Sequence, residues 1–343
     1  MQNDTRIAVD LAKAVFEIAA SDRPGKVARR ERLPRSQFLT FFAQHPAATV
    51  VMEACGSAHY WGRRIEQLGH KVILLPPHQV RPYVQRNKTD RTDAKGILEA
   101  SRNDDIRPVP VKTVAQQVLT SLHRLRSGWM AERTARLNTL RGLLRELGVF
   151  IPVGARQVVP AVWALVEDAD SDFPDALRPI FAEACHEIRQ IEARIKLVER
   201  QLEAMAQQLP VVAHLLTIPG IGLLTATALF AFIGSIHRFP SGRHLASWLG
   251  LTPREYSSGL KRRLGGISKR GDGYLRMLLI HGARSVLLHA RTQQPDHLRQ
   301  WAHKIAQTHV HNKAAVAVAN KLARLIWAVW SRLEDYGRTP KAA

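Results

Sequence analysis

Thr49-Val50-Val51-Met52-Glu53 reads as a buried strand that ends in a carboxylate, and Ile7-Ala8-Val9-Asp10 has the same form near the start of the chain. An acid in or beside a buried strand loses hydration and needs a partner or a cation to offset the loss. Asp90 and Asp93 lie in Asn87-Lys88-Thr89-Asp90-Arg91-Thr92-Asp93. At a spacing of i, i+3 they share one helix face. Four carboxylates from three separate stretches converge only through folding, and the simplest reason for convergence is a hard-oxygen site for one or two divalent cations. Lys88 and Arg91 stand beside them, placed to hold phosphates. The competing reading is that Asp90 and Asp93 cap a helix with help from Thr89 or Thr92, while Asp10 makes a surface ion pair.

Around these acids, residues 6–20 give a strand, a tight connection at Leu11–Lys13 and a second strand. Residues 26–33 give a third strand, Ser36–Gln44 a short helix, and Ala48–Glu53 the buried strand. A helix then runs from Gly56 through Leu68, a strand from Lys71 to Leu75 stops at Pro76-Pro77, and residues 91–102 are helical. The β-β-β-α-β-α-β-α order resembles the ribonuclease-H/RuvC-like nuclease fold. That resemblance implies one acid on the first strand, one on the fourth and the last on a later helix.

The chain has 343 residues, with 50 Lys and Arg against 29 Asp and Glu, a formal charge of +21. Such an excess points to a polyanionic partner, nucleic acid above all. Cys55 and Cys185 are too few for a disulfide framework and too isolated for a zinc site. No apolar run reaches the length of a membrane span, and the first residues do not resemble a signal peptide. The expectation is a cytoplasmic, nucleoid-associated protein.

Thr113–Leu147 reads as one long helix, with Val118, Leu122, Leu125 and Trp129 at 4-3-4 spacing. Arg124, Arg126, Arg133, Arg136, Arg141 and Arg145 decorate it and suit an RNA or DNA backbone. Residues 148–174, with Gly148, Gly154 and several prolines, read as a break. Leu177, Phe181, Ala184, Ile188, Ile191, Ile195, Val198, Leu202 and Met205 then step 4-3-4-3-4-3-4-3, the register of a coiled-coil seam. Its partner is either the preceding long helix or a second protomer. The expected organisation is 1–110 for a metal-dependent α/β domain, 111–209 for long helices and coiled coil, 210–335 for a small helical domain, and 336–343 for a tail.

Two further stretches carry chemistry. Leu216-Thr217-Ile218-Pro219-Gly220-Ile221-Gly222 resembles a helix-hairpin-helix turn, in which Gly220 and Gly222 let backbone amides approach a phosphate. The alternative is a tight turn that only packs. Residues 251–273 read as a mostly irregular loop rich in Gly, Ser and Arg. It offers Arg254, Lys261, Arg262, Arg263, Lys269 and Arg270 to phosphates, and one of its serines can be a nucleophile given an adjacent base or cation. The alternative is that Ser257 and Ser258 are ordinary turn residues.

Taken in order, Asp10, Glu53-Ala54-Cys55-Gly56, Lys88-Thr89-Asp90-x-x-Asp93-Ala94, Ile218–Gly222 and Leu249–Gly259 resemble the DEDD-type transposases of the insertion sequence 110 family. The resemblance spans nearly the whole chain. It implies a RuvC-like domain with Asp10, Glu53, Asp90 and Asp93 binding Mg²⁺, or Mn²⁺ in its place. It also implies a coiled coil and a C-terminal domain with a catalytic serine. The family's serine precedes the glycine of a Tyr-x-Ser-Gly step, which is Ser258 here, with Ser257 as an extra hydroxyl. The implied partners are donor and target DNA, a structured noncoding bridge RNA and further copies of the chain, in a dimer or tetramer whose protomers complete one another's sites. Two other classes stand beside this one: a metal-only nuclease or junction resolvase, and a non-catalytic nucleic-acid-binding protein.

Overall fold

The computed structural model describes residues 5–84, 89–290 and 296–337. The chain divides into two compact units, one of residues 1–117 and 233–238, the other of 118–232 and 239–343.

The first unit is built in the order β1 (Arg6–Asp10), β2 (Val15–Ser21), β3 (Arg29–Pro34), α1 (Phe38–Gln44), β4 (Thr49–Glu53), α2 (Ala58–Glu66), β5 (Lys71–Leu75), the one-turn α3 (Pro77–Val80) and α4 (Asp90–Ala100). The sheet order is β3-β2-β1-β4-β5. β1, β2 and β3 form an antiparallel meander, while β4 and β5 run parallel to β1. The one-turn α3 and a 3-10 turn at Arg81–Tyr83 are absent from the sequence-based order. α2 starts later than Gly56 because Ser57 stands in the left-handed region at φ 67°.

Alternation along the strands divides the core into two layers. Ile7, Val9, Phe16, Ile18, Val50 and Met52 pack with Phe38, Phe42, Trp61 and Ile65 of α1 and α2. The aromatic rings meet edge to face, with Phe16–Phe38 centroids 4.5 Å apart and Phe38–Trp61 centroids 5.0 Å apart. On the opposite face Ala8 and Val51 pack with Ile97, Leu98 and Ala100 of α4.

The second unit holds most of α5 (Val114–Glu146), then α6 (Ala155–Glu167), α7 (Arg178–Ala206), α8 (Pro210–Leu216), α9 (Leu223–Ile233) and α10 (Gly242–Trp248). The hairpin β6 (Pro253–Glu255) and β7 (Leu264–Ile267) follows, then α11 (Gly273–Leu288), α12 (His297–Thr308) and α13 (His311–Arg332). The long helices expected as a spacer share this unit with the C-terminal helices.

Three sequence-based expectations change here. The break at 148–174 contains α6, which carries Pro160 in its interior. Burial of Val158 and Val162 against α5 and α7 residues offsets the cost of that proline. The loop at 251–273 is in part a β-hairpin. The long basic helix is less available than its sequence suggests. Arg126, Arg133 and Arg136 bond Glu199, Glu192 and Glu187 of α7 at 2.8, 2.6 and 2.8 Å. Arg141 donates to the carbonyls of Pro152 and Gly154. Of the six arginines named on that helix, Arg124 and Arg145 are left without such a bond among the described residues.

These pairs also give α7 its partner. Rising numbers on α5 meet falling numbers on α7, so the helices run antiparallel within one chain. The buried stripe of α7 is Phe181, Cys185, Ile188, Ile191, Ile195, Val198, Leu202 and Ala206. Ala184 and Met205 of the expected seam sit at its edge, partly buried.

Buried polar groups in this unit are joined across helices. His123 of α5 is 1% exposed and lies 3.0 Å from both Tyr274 Oη and Thr227 Oγ1. Burial, then the charge of Arg126, lowers its pKa from 6.5 to about 4. The unfolded chain therefore takes up this proton first as pH falls. The contribution of neutral His123 is intact above about 6.5 and lost toward 4, roughly 3 kcal/mol across the window. Chemical denaturation from pH 7 to pH 4 should show this loss, with a shallower slope for His123→Gln; equal slopes would refute the assignment.

The Pro-Gly turn between α8 and α9 packs against α11. Gly220 has φ +85°, and a Cβ there would stand 2.6 Å from the Gly282 carbonyl oxygen. Gly222, at the start of α9, has nothing within 4 Å of its notional Cβ. Gly220→Ala should thus cost well over 1 kcal/mol and Gly222→Ala a small fraction of that, measured by urea unfolding.

Candidate active site and nucleic-acid interface

β1 and β4 pair in parallel from Arg6–Thr49 to Val9–Met52, so Asp10 and Glu53 are the next residues on adjacent strands. By alternation each follows Ala8 and Val51 onto the face covered by α4. Helix α4 is oriented by contacts at both ends. Arg6, at the start of β1, bonds Ser101 just past the end of α4. Arg30 Nη1 donates to the Arg91 carbonyl at 2.9 Å, at the start of α4. Thr89, Arg91, Glu17, Arg30 and Arg32 line one cleft, and Glu17 is the ladder partner of Asp10. The helix therefore runs back along the sheet, its first turn at the Asp10 end. Eleven helical residues and five strand residues both span about 16 Å, which matches the two ends.

The start of α4 is capped by threonine. Thr89 Oγ1 accepts from the Thr92 amide at 3.3 Å, and Thr92 Oγ1 accepts from the Thr89 amide at 2.9 Å. This reciprocal capping box satisfies two amide donors without a carboxylate. Asp93 is the fourth residue of α4, half-buried and next to the buried Ala94. Asp90 is the first residue of α4. Lys88 lies outside the described residues, and Arg91 is exposed.

Burial, then the charges of Glu53 and Asp10, holds the Cys55 thiol above its usual range. Carboxylate oxygen is the donor type a hard divalent cation takes, but among the described residues no three or more acidic, histidine or cysteine side chains stand close enough together to hold one. The sequence-based search missed Glu17, which is 7% exposed on the same face. Arg32 Nε pairs with it at 3.0 Å and neutralises it. Its signal was a lone acid inside Val15-Phe16-Glu17-Ile18.

The second set of site residues lies in the other unit. Tyr256 and Arg263 continue the β6–β7 ladder, and Ser258 and Lys261 exchange backbone bonds at 3.2 and 3.1 Å. Gly259 and Leu260 form the two-residue turn, and Gly259 supplies φ +55° at its first position. The two serines are not equivalent. Ser257 Oγ donates to Glu255 Oε1 at 2.7 Å and accepts from the Arg263 amide at 3.1 Å. Ser258 is exposed, and its hydroxyl makes no hydrogen bond among the described residues.

Arg254, Lys261, Arg262, Arg263, Lys269 and Arg270 are all exposed on or beside this hairpin. Its base is locked by backbone contact. Lys269 donates to the Gly250 carbonyl at 3.1 Å, and a side chain at Gly250 or Gly271 would collide with the backbone of Arg270 or Trp248. Of the two glycines in the Pro-Gly turn, Gly222 is exposed at the start of α9, whereas Gly220 is covered by α11.

Carboxylates at one end of the mixed sheet of the first unit, and an exposed cationic hairpin carrying a serine in the second, are features suited to a protein that handles nucleic-acid phosphates. Comparison with known proteins gives the family. Residues 212–308 match the family described as Transposase IS116/IS110/IS902, and residues 7–149 match the DEDD transposase family of the same group. A probable family 20 transposase of Pseudomonas aeruginosa is 43% identical over 97% of this chain and 99% of its own length. The transposase for insertion sequence element IS1111A of Coxiella burnetii is 37% identical, covering 96% of this chain and 90% of its own length. The transposase for IS1328 of Yersinia enterocolitica is 36% identical, covering 96% and 97%. The chain belongs to the IS110-type transposase family and is a DNA transposase. Among the described residues, no helix is long and apolar enough to cross a membrane.

If the acids hold a divalent cation, Mg²⁺ should raise the Tm of the wild type. Asp10→Asn should abolish the Mg²⁺ response. Equal Mg²⁺ shifts in the two proteins would count against a shared site.

Proposed function

We propose that this transposase recombines DNA through two sets of residues: Asp10, Glu53, Asp90 and Asp93 as the acidic tetrad, and Ser258 as the nucleophile. The observation that carries the tetrad is the placement of Asp10 and Glu53 at the ends of adjacent parallel strands, on the face covered by α4. The sheet order, with its antiparallel meander and two added parallel strands, supports a RuvC-like reading of the first unit. A bound Mg²⁺, or Mn²⁺ in its place, would polarise the phosphodiester and neutralise developing charge.

The chain's own residues supply the rest. Arg32 pairs with Glu17 at 3.0 Å beside the tetrad. The exposed Ser258 hydroxyl stands immediately before a two-residue turn, with Lys261, Arg262 and Arg263 following that turn to hold phosphates. In the proposed step the Ser258 Oγ–P bond forms and the P–O bond to the leaving deoxyribose breaks. The serine proton passes to a base, and the leaving oxygen takes one up. The phosphoserine ester keeps the bond's energy, so strand exchange needs no high-energy cofactor.

Sequence choice is assigned to a structured bridge RNA pairing with donor and target DNA, on the strength of the family resemblance, and the +21 charge supports polyanionic partners. Assembly as a dimer or tetramer belongs to the same reading.

The test is a denaturing gel after incubation with the native element's DNA, its RNA and Mg²⁺. Wild type and Ser257→Ala should yield a covalent protein–DNA band, and Ser258→Ala none. Mg²⁺-dependent cleavage that survives Ser258→Ala without an adduct would establish a metal-only nuclease instead.

A further inference from the structure

The β6–β7 hairpin and α13 line a groove of about 590 Å³ that no step above uses. Gly266 and Ile267 of β7, Val316 and Ala317 of α13, and Trp301 of α12 give it an apolar lining. The α13 positions 313, 316, 317, 320 and 324 recur at helical spacing and form one face. The indole of Trp301 is steadied by Lys321, whose Nζ stands 4.2 Å from the ring centre. Asn320 is tied to the Leu251 carbonyl at 3.2 Å.

Charge selects the occupant. Lys313 and Arg324 line the groove, are exposed, and have no ion pair among the described residues. Between Gly273 and Leu333 the only acid is Asp296, which caps α12 and pairs with Arg299 at 2.7 Å. A purely apolar partner would desolvate the two cations with nothing to offset the cost. A duplex presents only phosphates to such a surface and would leave the apolar lining unfilled. An unpaired nucleotide satisfies both parts: its base against Trp301 and the aliphatic residues, its phosphates on Lys313 and Arg324.

We propose that this groove holds an unpaired base of the DNA strand beside the serine hairpin. The choice of DNA rests on the proposed role of Ser258. Gly266 gives an independent handle, because a Cβ there meets nothing within 4 Å. Gly266→Val should therefore fill part of the groove with little effect on the fold.

The experiment is equilibrium binding of labelled single-stranded DNA to the full chain in EDTA, against an abasic DNA of equal length, with an RNA of the same sequence and its abasic counterpart alongside. For wild type the abasic strand should bind roughly tenfold more weakly. Trp301→Ala and Gly266→Val should each remove most of that difference, and Gly266→Val should keep the wild-type Tm. Equal binding of abasic and intact DNA would overturn the proposal, as would a base-dependent margin that survives both variants. A larger margin for RNA than for DNA would overturn the assignment to DNA. No cleavage is read out, so a failure of the serine chemistry would leave this result standing.

Discussion

The parallel pairing of β1 with β4 is the constraint from which the first unit follows. Once Val9 sits opposite Met52, the pleat sends Ala8 and Val51 to one side and their neighbours to the other. The next residue on each strand is an acid, and the same alternation delivers both acids to the α4 face. A slip of one residue in either strand would bury a carboxylate among Phe38, Phe42 and Trp61. The hydrophobic layer and the acidic site are thus set by one register. Core burial strongly disfavours every other register, and so it also fixes where the charges meet.

The second unit follows a different rule, the neutralisation or capping of arginines. Formal charge overstates what a polyanion meets, because several cations on α5 face carboxylates or carbonyls of the same chain. Such half-exposed pairs contribute modestly to stability. Their larger effect is on distribution: cations unmatched by acids are enriched beyond Phe239, around the hairpin and the last three helices. A strand drawn in by the field is guided toward the part of the chain that carries Ser258.

Much of this was legible in the sequence for physical reasons. Strands of near-continuous apolar residues ending in an acid, such as Thr49–Glu53, announce both their burial and their exception to it. The long stripe of α7 was legible because its period persists over many turns. Where the sequence misled, local signals opposed tertiary ones. Pro160 and the flanking glycines argued against a helix that core packing maintains. Gly, Ser and Arg between 251 and 273 argued against strands, yet Gly259 in a two-residue turn and the locked base at Gly250 hold the hairpin together. The partner of α7 was not legible, since periodicity shows that a face is buried and not what covers it. Glu17 escaped notice because a single acid in a strand is visible only when its cross-strand neighbour is known.

The contact between Gly220 and Gly282 has a consequence for how this transposase can vary. Each residue occupies the space that a methyl group on the other would need. Neither partner can shrink to accommodate growth in the other, because glycine already has no side chain to lose. Two positions 62 residues apart are therefore closed to stepwise change: no single substitution at one prepares the way for a substitution at the other. A wider turn could arise only by moving α11 as a whole. The glycine that a motif search would assign to phosphate contact is held in place, in this chain, by a neighbouring helix.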